Sequence, residues 1–195
     1  LNMLDHMDGL ASGIGLLVSL AFALVAVQTG QLFLAGALAA LAGSCAGMLF
    51  FNFPPAKIFL GDGGSYFLGY WLSVLTISFT FYESGRPLYS YAVPFVVLAV
   101  PLFDIVRVVF IRIRSKSPLF RGDQNHFAHR LVNLGMSPRR AVLTIHSLTA
   151  VTGLAAILLY QVNEVGAMIV LSQLLLVFAI ITLLEMTARR HGRSN

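Results

Sequence analysis

The chain has 195 residues, of which 57% are hydrophobic and 11% charged, with a formal net charge of +5 and a mean hydropathy of +0.83. So apolar a composition excludes an ordinary water-soluble domain and places most of the chain in lipid, which also excludes nucleic acid as a partner. The fold class predicted is all-α: a polytopic membrane helical bundle forming a single membrane domain over residues 1–195, with about six transmembrane helices.

In chain order, a polar lead-in over residues 1–9 carries Asn2, Asp5, His6 and Asp8. It opens on Leu1 inside a polar motif, so the chain is expected to be the C-terminal part of a longer protein. Six largely apolar stretches follow, at residues 10–27, 32–51, 66–81, 88–111, 141–160 and 165–186. At about 1.5 Å per residue each can cross a hydrocarbon core of about 30 Å, the third only with local thinning. Gly9, Gly13 and Gly15 are expected to loosen the start of the first helix, and Gly43 and Gly47 to let the second pack closely on a neighbour. Cys45 is the single cysteine, so an intrachain disulfide is excluded. Pro94 and Pro101 predict a kink or break in the fourth stretch.

Between the second and third stretches lies the polar loop at residues 52–65, N-F-P-P-A-K-I-F-L-G-D-G-G-S. Pro54 and Pro55 forbid a continuous helix, Gly61, Gly63 and Gly64 allow a tight turn, and Ser65 is expected to cap the helix that follows. A helix start with free backbone N–H groups, a carboxylate at Asp62 and Lys57 nearby has the parts to hold a phosphate with its magnesium ion. The competing reading is a capped loop between membrane helices.

Six crossings put the lead-in, the 52–65 loop, a long basic segment at 112–140 and the tail at 188–195 on one face. Eleven of the 13 Lys and Arg residues fall there; Arg86 is on the other face and Arg107 lies inside the fourth stretch. The positive-inside rule makes the basic face cytoplasmic. Membrane lipids are therefore partners of the chain, and its arginines can also attract anionic headgroups or a phosphorylated substrate.

Asp5, Asp8, Asp62, Asp123, His126 and His129 all reach that face. His126 and His129 are three apart, on one face of any helix there. Two histidines could bind zinc, but without a cysteine beside them the nearby carboxylates suit magnesium better, and phosphate contact is the preferred reading. A solvated amphipathic helix is the alternative. Asp104 and Arg107 are expected to form an internal ion pair, His146 to be a packing residue, and Phe59 to stack on a flat base or anchor the loop.

These segments resemble the polyprenyl-phosphate N-acetylhexosamine-1-phosphate transferases, glycosyltransferase family 4. The run 2–10 is similar to that family's N-x-x-D-G-x-D-G-L, with His6 where the first glycine stands. Residues 52–65 resemble N-x-x-P-A-x-x-F-x-G-D-x-G-S, and residues 125–131 resemble N-H-x-H-H-R-L, with Ala128 in place of the middle histidine.

The resemblance implies transfer of a sugar 1-phosphate from a UDP-N-acetylhexosamine to a polyprenyl phosphate, with release of UMP, at the bacterial cytoplasmic membrane. It implies Asp62 as a magnesium ligand (manganese the alternative ion), Asn52 beside metal and diphosphate, and Phe59 and Asp8 at the uracil. Asp5 would support that pocket, and His126, His129 and Arg130 would face the diphosphate. Asn2, Lys57 and Asn125 complete the expected substrate-binding set, and a homodimer is open to such a chain. The family's aspartate-rich D-D motif does not occur in this sequence. The main alternative is a non-catalytic transporter or lipid-carrier binding protein. It would place ionisable groups at mid-membrane in several helices, rather than gathered on one surface.

Overall fold

A computed structural model describes residues 4–78, 88–116 and 126–191, and these are helical and without strands. α1 (Leu10–Gln28) and α2 (Leu32–Asn52) match the first two apolar stretches closely. α1 is the axis of the bundle: 13 of its 19 residues are buried, against α2, α7 (Pro138–Leu158) and, less extensively, α3 (Gly61–Ser78) and α4 (Val93–Val97). Gly13 and Gly15 do not loosen its start. A Cβ at Gly13 would strike the His146 ring, and one at Gly15 would come within 2.5 Å of Leu68, so both glycines are there to let neighbours close in. Of these three glycines only Gly9 needs the residue's backbone freedom, with φ at 75° where the chain turns into α1.

Other helix boundaries also follow from local chemistry. α2 stops at Asn52 because Pro54 and Pro55 cannot continue it. α3 begins at Gly61, so Ser65 is already its fifth residue, donating to the Asp62 carbonyl at 3.1 Å, instead of capping it. The fourth stretch is broken as its prolines predict: a 3-10 turn (Leu88–Ala92) and α4 meet α5 (Ala99–Ser115) at 72°. Pro101 has no N–H for the Val97 carbonyl, which ends the ladder at the bend. α6 (Phe127–Asn133) is short; α7 starts where Ser137 caps and Pro138 takes the first turn. α8 (Glu164–His191) starts beside Asn163, whose side chain accepts the Gly166 N–H at 2.9 Å.

By length and composition α1, α2, α7 and α8 can cross a membrane, and the bent 89–115 pair makes five. The remaining sequence stretch corresponds to α3, whose described residues open on the polar Gly61–Asp62 turn and close at Ser78. Outward faces are apolar, as lipid requires: Ile169, Leu176, Ile180 and Leu184 on α8 are exposed. Gly43 and Gly47 look outward too, since a Cβ at either meets nothing within 4 Å among the described residues. The close packing expected of them is therefore not made among the described residues.

Candidate anion and metal site at one end of the bundle

The start of α1, the end of α2, the loop into α3, the first turns of α5 around Val100 and Asp104, α6 and the start of α7 are drawn together at one end of the bundle. Asn52, 2% exposed, fastens two of the sequence segments together. Its Oδ1 accepts the Gly9 N–H at 2.9 Å and the Ser12 hydroxyl at 3.1 Å, and its Nδ2 donates to the Ile58 carbonyl at 2.9 Å. Asp8 adds a second tie, accepting the Ala56 N–H at 3.0 Å. Arg139, at the start of α7, donates to the Pro54 carbonyl at 2.8 Å and holds the proline corner from the other side.

These ties bring Asp5 within electrostatic reach of Asp62. Burial, and then the Asp62 charge, raise the Asp5 carboxyl above its ordinary 3.8. Two carboxylates within electrostatic reach of each other, one of them exposed on the first turn of α3, suit a hard divalent cation. No group of three or more His, Cys, Asp or Glu side chains placed for a metal occurs among the described residues. Magnesium commonly takes one or two protein carboxylates and draws its other ligands from water and substrate phosphates, so the pair fits it. Lys57 and Phe59 project from the same loop into solvent, Phe59 being 73% exposed.

The histidine segment reaches this end through a buried polar network. Asp104 of α5, 2% exposed, meets His126 Nδ1 at 2.9 Å and accepts the Phe127 N–H at 2.6 Å. Arg130 lies 3.9 Å from the same carboxylate and donates through Nε to Glu185 of α8 at 3.1 Å. Arg107 donates to the other Glu185 oxygen at 3.2 Å. The expected pairing of Asp104 with Arg107 is thus replaced: each turns to a different element, Asp104 to α6 and Arg107 to α8. The His6 ring stacks on both His126 and His129, at centroid distances of 4.5 and 4.8 Å. Burial, and then neighbouring His126, lower the pKa of His129 below 6.5, with Asp104 opposing, which keeps it a neutral donor or acceptor near pH 7.

Of the site residues read from sequence, Asp5, Asp8, Asn52, Lys57, Phe59, Asp62, His126, His129 and Arg130 are gathered at this end; Asn2, Asn125 and Asp123 lie outside the described residues. Sequence reasoning missed Glu185. Its signal was present as a lone carboxylate within the otherwise apolar 165–186 stretch, where an ionisable group calls for a partner. It also missed Asn52's part as a tie between segments and Arg139's hold on the loop.

The fold and the site define a class: a multi-helix membrane protein with carboxylates, imidazoles and arginines collected at one end of its bundle. The family model described as Glycosyl transferase family 4 matches residues 1–80. A protein of Bacillus subtilis (strain 168) described as a probable undecaprenyl-phosphate N-acetylglucosaminyl 1-phosphate transferase is 35% identical over 195 residues, all of this chain and 52% of its own length. A decaprenyl-phosphate N-acetylglucosaminephosphotransferase of Mycobacterium leprae (strain TN) is 34% identical over 187 residues, 86% of this chain and 47% of its own. A phospho-N-acetylmuramoyl-pentapeptide-transferase of Desulforamulus reducens is 52% identical over 68 residues, 35% of this chain and 20% of its own. The chain belongs to glycosyl transferase family 4. It spans about half the length of the relatives matched along most of it.

Proposed function

We propose that the protein containing this chain transfers an N-acetylhexosamine 1-phosphate from a UDP-sugar to a polyprenyl phosphate in the bacterial cytoplasmic membrane, releasing UMP, in the synthesis of a cell-envelope polysaccharide. The observation that carries the reading is convergence. Three polar segments, far apart in sequence, are bonded or stacked into one cluster: the lead-in to the 52–65 loop through Asn52 and Asp8, and the lead-in to α6 through His6. Such a cluster at a bundle end suits one soluble and one membrane-bound substrate. N-acetylglucosamine ranks first among the sugars, because the relatives that align with most of the chain include two whose descriptions carry that sugar.

In this reading Asp62, with Asp5, holds a magnesium ion, manganese being the alternative. The ion supplies charge to offset the oxygens of the reacting diphosphate. Asp8 and Phe59 take the uracil, and Lys57 lies beside the phosphates. Asn52 orients the 52–65 loop toward the diphosphate by holding its backbone. Asp104 fixes His126 through Nδ1, leaving Nε2 as the imidazole atom for substrate. Arg130, held between Glu185 and Asp104, keeps a cation close behind the histidines. The basic face is the cytoplasmic one.

The test is UMP release by the complete gene product in membranes supplied with UDP-N-acetylglucosamine, undecaprenyl phosphate and magnesium. Release that depends on all three, and that falls by about a thousandfold in Asp62→Asn while the variant stays folded, is the expected result. Nucleotide release that ignores the lipid phosphate would overturn the reading.

A further inference from the structure

Two positions depart from the family pattern in this chain, His6 in the lead-in and Ala128 in α6, and the structure puts them in one place. The Ala128 side chain is 1% exposed. It and His6 line the same small cavity, together with Leu10, Ile14, Phe127 and Ile145. The free volume there is about 10 Å³, at the lower limit for a single water, so a larger side chain at either position must displace a neighbour. An imidazole at position 128 does not fit while the His6 ring and the apolar side chains keep their places. On its other sides the His6 ring lies over His126 at 4.5 Å and 28° and over His129 at 4.8 Å and 29°.

We propose that these two departures are one compensated change: His6, delivered by the lead-in, supplies the imidazole that Ala128 lacks and completes a cluster of three rings with His126 and His129. His6 is a positioning residue in this arrangement. Its ring lies against both of the others and sets their planes, and it couples the segment carrying Asp5 and Asp8 to the segment carrying Arg130. Each stacked pair contributes a modest amount beyond its buried area. The ring also excludes water from behind His126, whose Nδ1 is already taken by Asp104. That the cluster serves a diphosphate rests on the transferase reading above; that positions 6 and 128 share one volume does not.

Four variants of the complete gene product separate these statements: His6→Ala, Ala128→His, His6→Ala/Ala128→His and His6→Ala/Ala128→Leu. Thermal unfolding in detergent reads the shared volume, independently of turnover. Ala128→His alone is expected to have the lowest Tm, and His6→Ala/Ala128→His to recover it. UMP release reads the imidazole. His6→Ala is expected to lower kcat about tenfold, the double variant with histidine to restore most of it, and the double variant with leucine to restore Tm without kcat. Two results would overturn the proposal: Ala128→His as stable as the double variant, or leucine restoring turnover as well as histidine does. If the unsubstituted protein releases no UMP, the transferase reading fails, and the unfolding comparison alone then decides whether the two positions compensate.

Discussion

Asn52 engages both ends of its carboxamide with the protein itself, while Asp62, ten residues on, presents its carboxylate to solvent. The two residues should therefore fail differently. Asn52→Ala removes three hydrogen bonds and leaves the Gly9 N–H buried without that acceptor, a loss of about 2–4 kcal/mol of stability, readable as a lower unfolding midpoint in mixed micelles. Asp62→Asn leaves the unfolding midpoint in place and acts on turnover. The loop that carries Asp62 was legible in the sequence as a break between helices, because a proline pair and three glycines interrupt the apolar run. The part Asn52 plays was not, since its partners Gly9 and Ser12 lie 43 and 40 residues away and no local pattern announces them. The Asp5 and Asp62 pair makes a prediction about pH. Asp5 holds its proton to higher pH in the folded protein than in the unfolded chain, so this group favours the fold most below 3.8, and the contribution is lost as pH rises through its raised value. A bound cation relieves that loss. Magnesium is expected to raise the unfolding temperature at neutral pH, to do so less as pH falls toward 3.8, and to have little effect on Asp62→Asn. An equal magnesium effect on the variant would place the ion elsewhere.

Helices α5, α6 and α8 are joined by charge where the rest of the bundle is joined by shape. Glu185 receives Arg107 from α5 and Arg130 from α6, and Phe103 adds an apolar layer by stacking on Phe178 of α8 at 4.8 Å and meeting Phe127 edge-on at 5.7 Å. Glu185→Ala leaves two arginine side chains without their shared carboxylate and should cost about 3–5 kcal/mol. The loss would be seen in detergent unfolding, with proteolysis of α8 ahead of the α1, α2 and α7 core. A change within about 0.5 kcal/mol would mean the arginines find water in its place. The helices themselves were legible from apolar run length, and the break in the fourth run from its two prolines. Partner choice was not legible. Asp104 and Arg107, three residues apart on one helix, suggest each other in sequence, but burial of His126 and Arg130 on one side and Glu185 on the other supplies each with a better partner across the fold.

At the scale of the whole molecule, charge sorting and helix count put the lead-in, the 52–65 loop and the 112–140 segment on one face, and the structure joins the lead-in to that loop, to His126 and His129, and the loop to Arg139. The sequence did not reveal how tightly the segments join, because hydrogen bonds such as Gly9 to Asn52 and ring contacts such as His6 to His129 depend on which way α1 faces in the packed bundle. The central claim is that a phosphosugar, and not a sugar alone, passes to the lipid. It is tested most directly by supplying the complete gene product with UDP-N-acetylglucosamine labelled at the β-phosphorus, together with undecaprenyl phosphate and magnesium, and asking which phase holds the label. The account predicts label in the lipid phase in equal amount to UMP in the aqueous phase, because an oxygen of the lipid phosphate bonds to the β-phosphorus while the bond from that phosphorus to the bridging anhydride oxygen breaks, and the oxygen leaves with UMP. Sugar in the lipid phase with all the label left behind as UDP would contradict it.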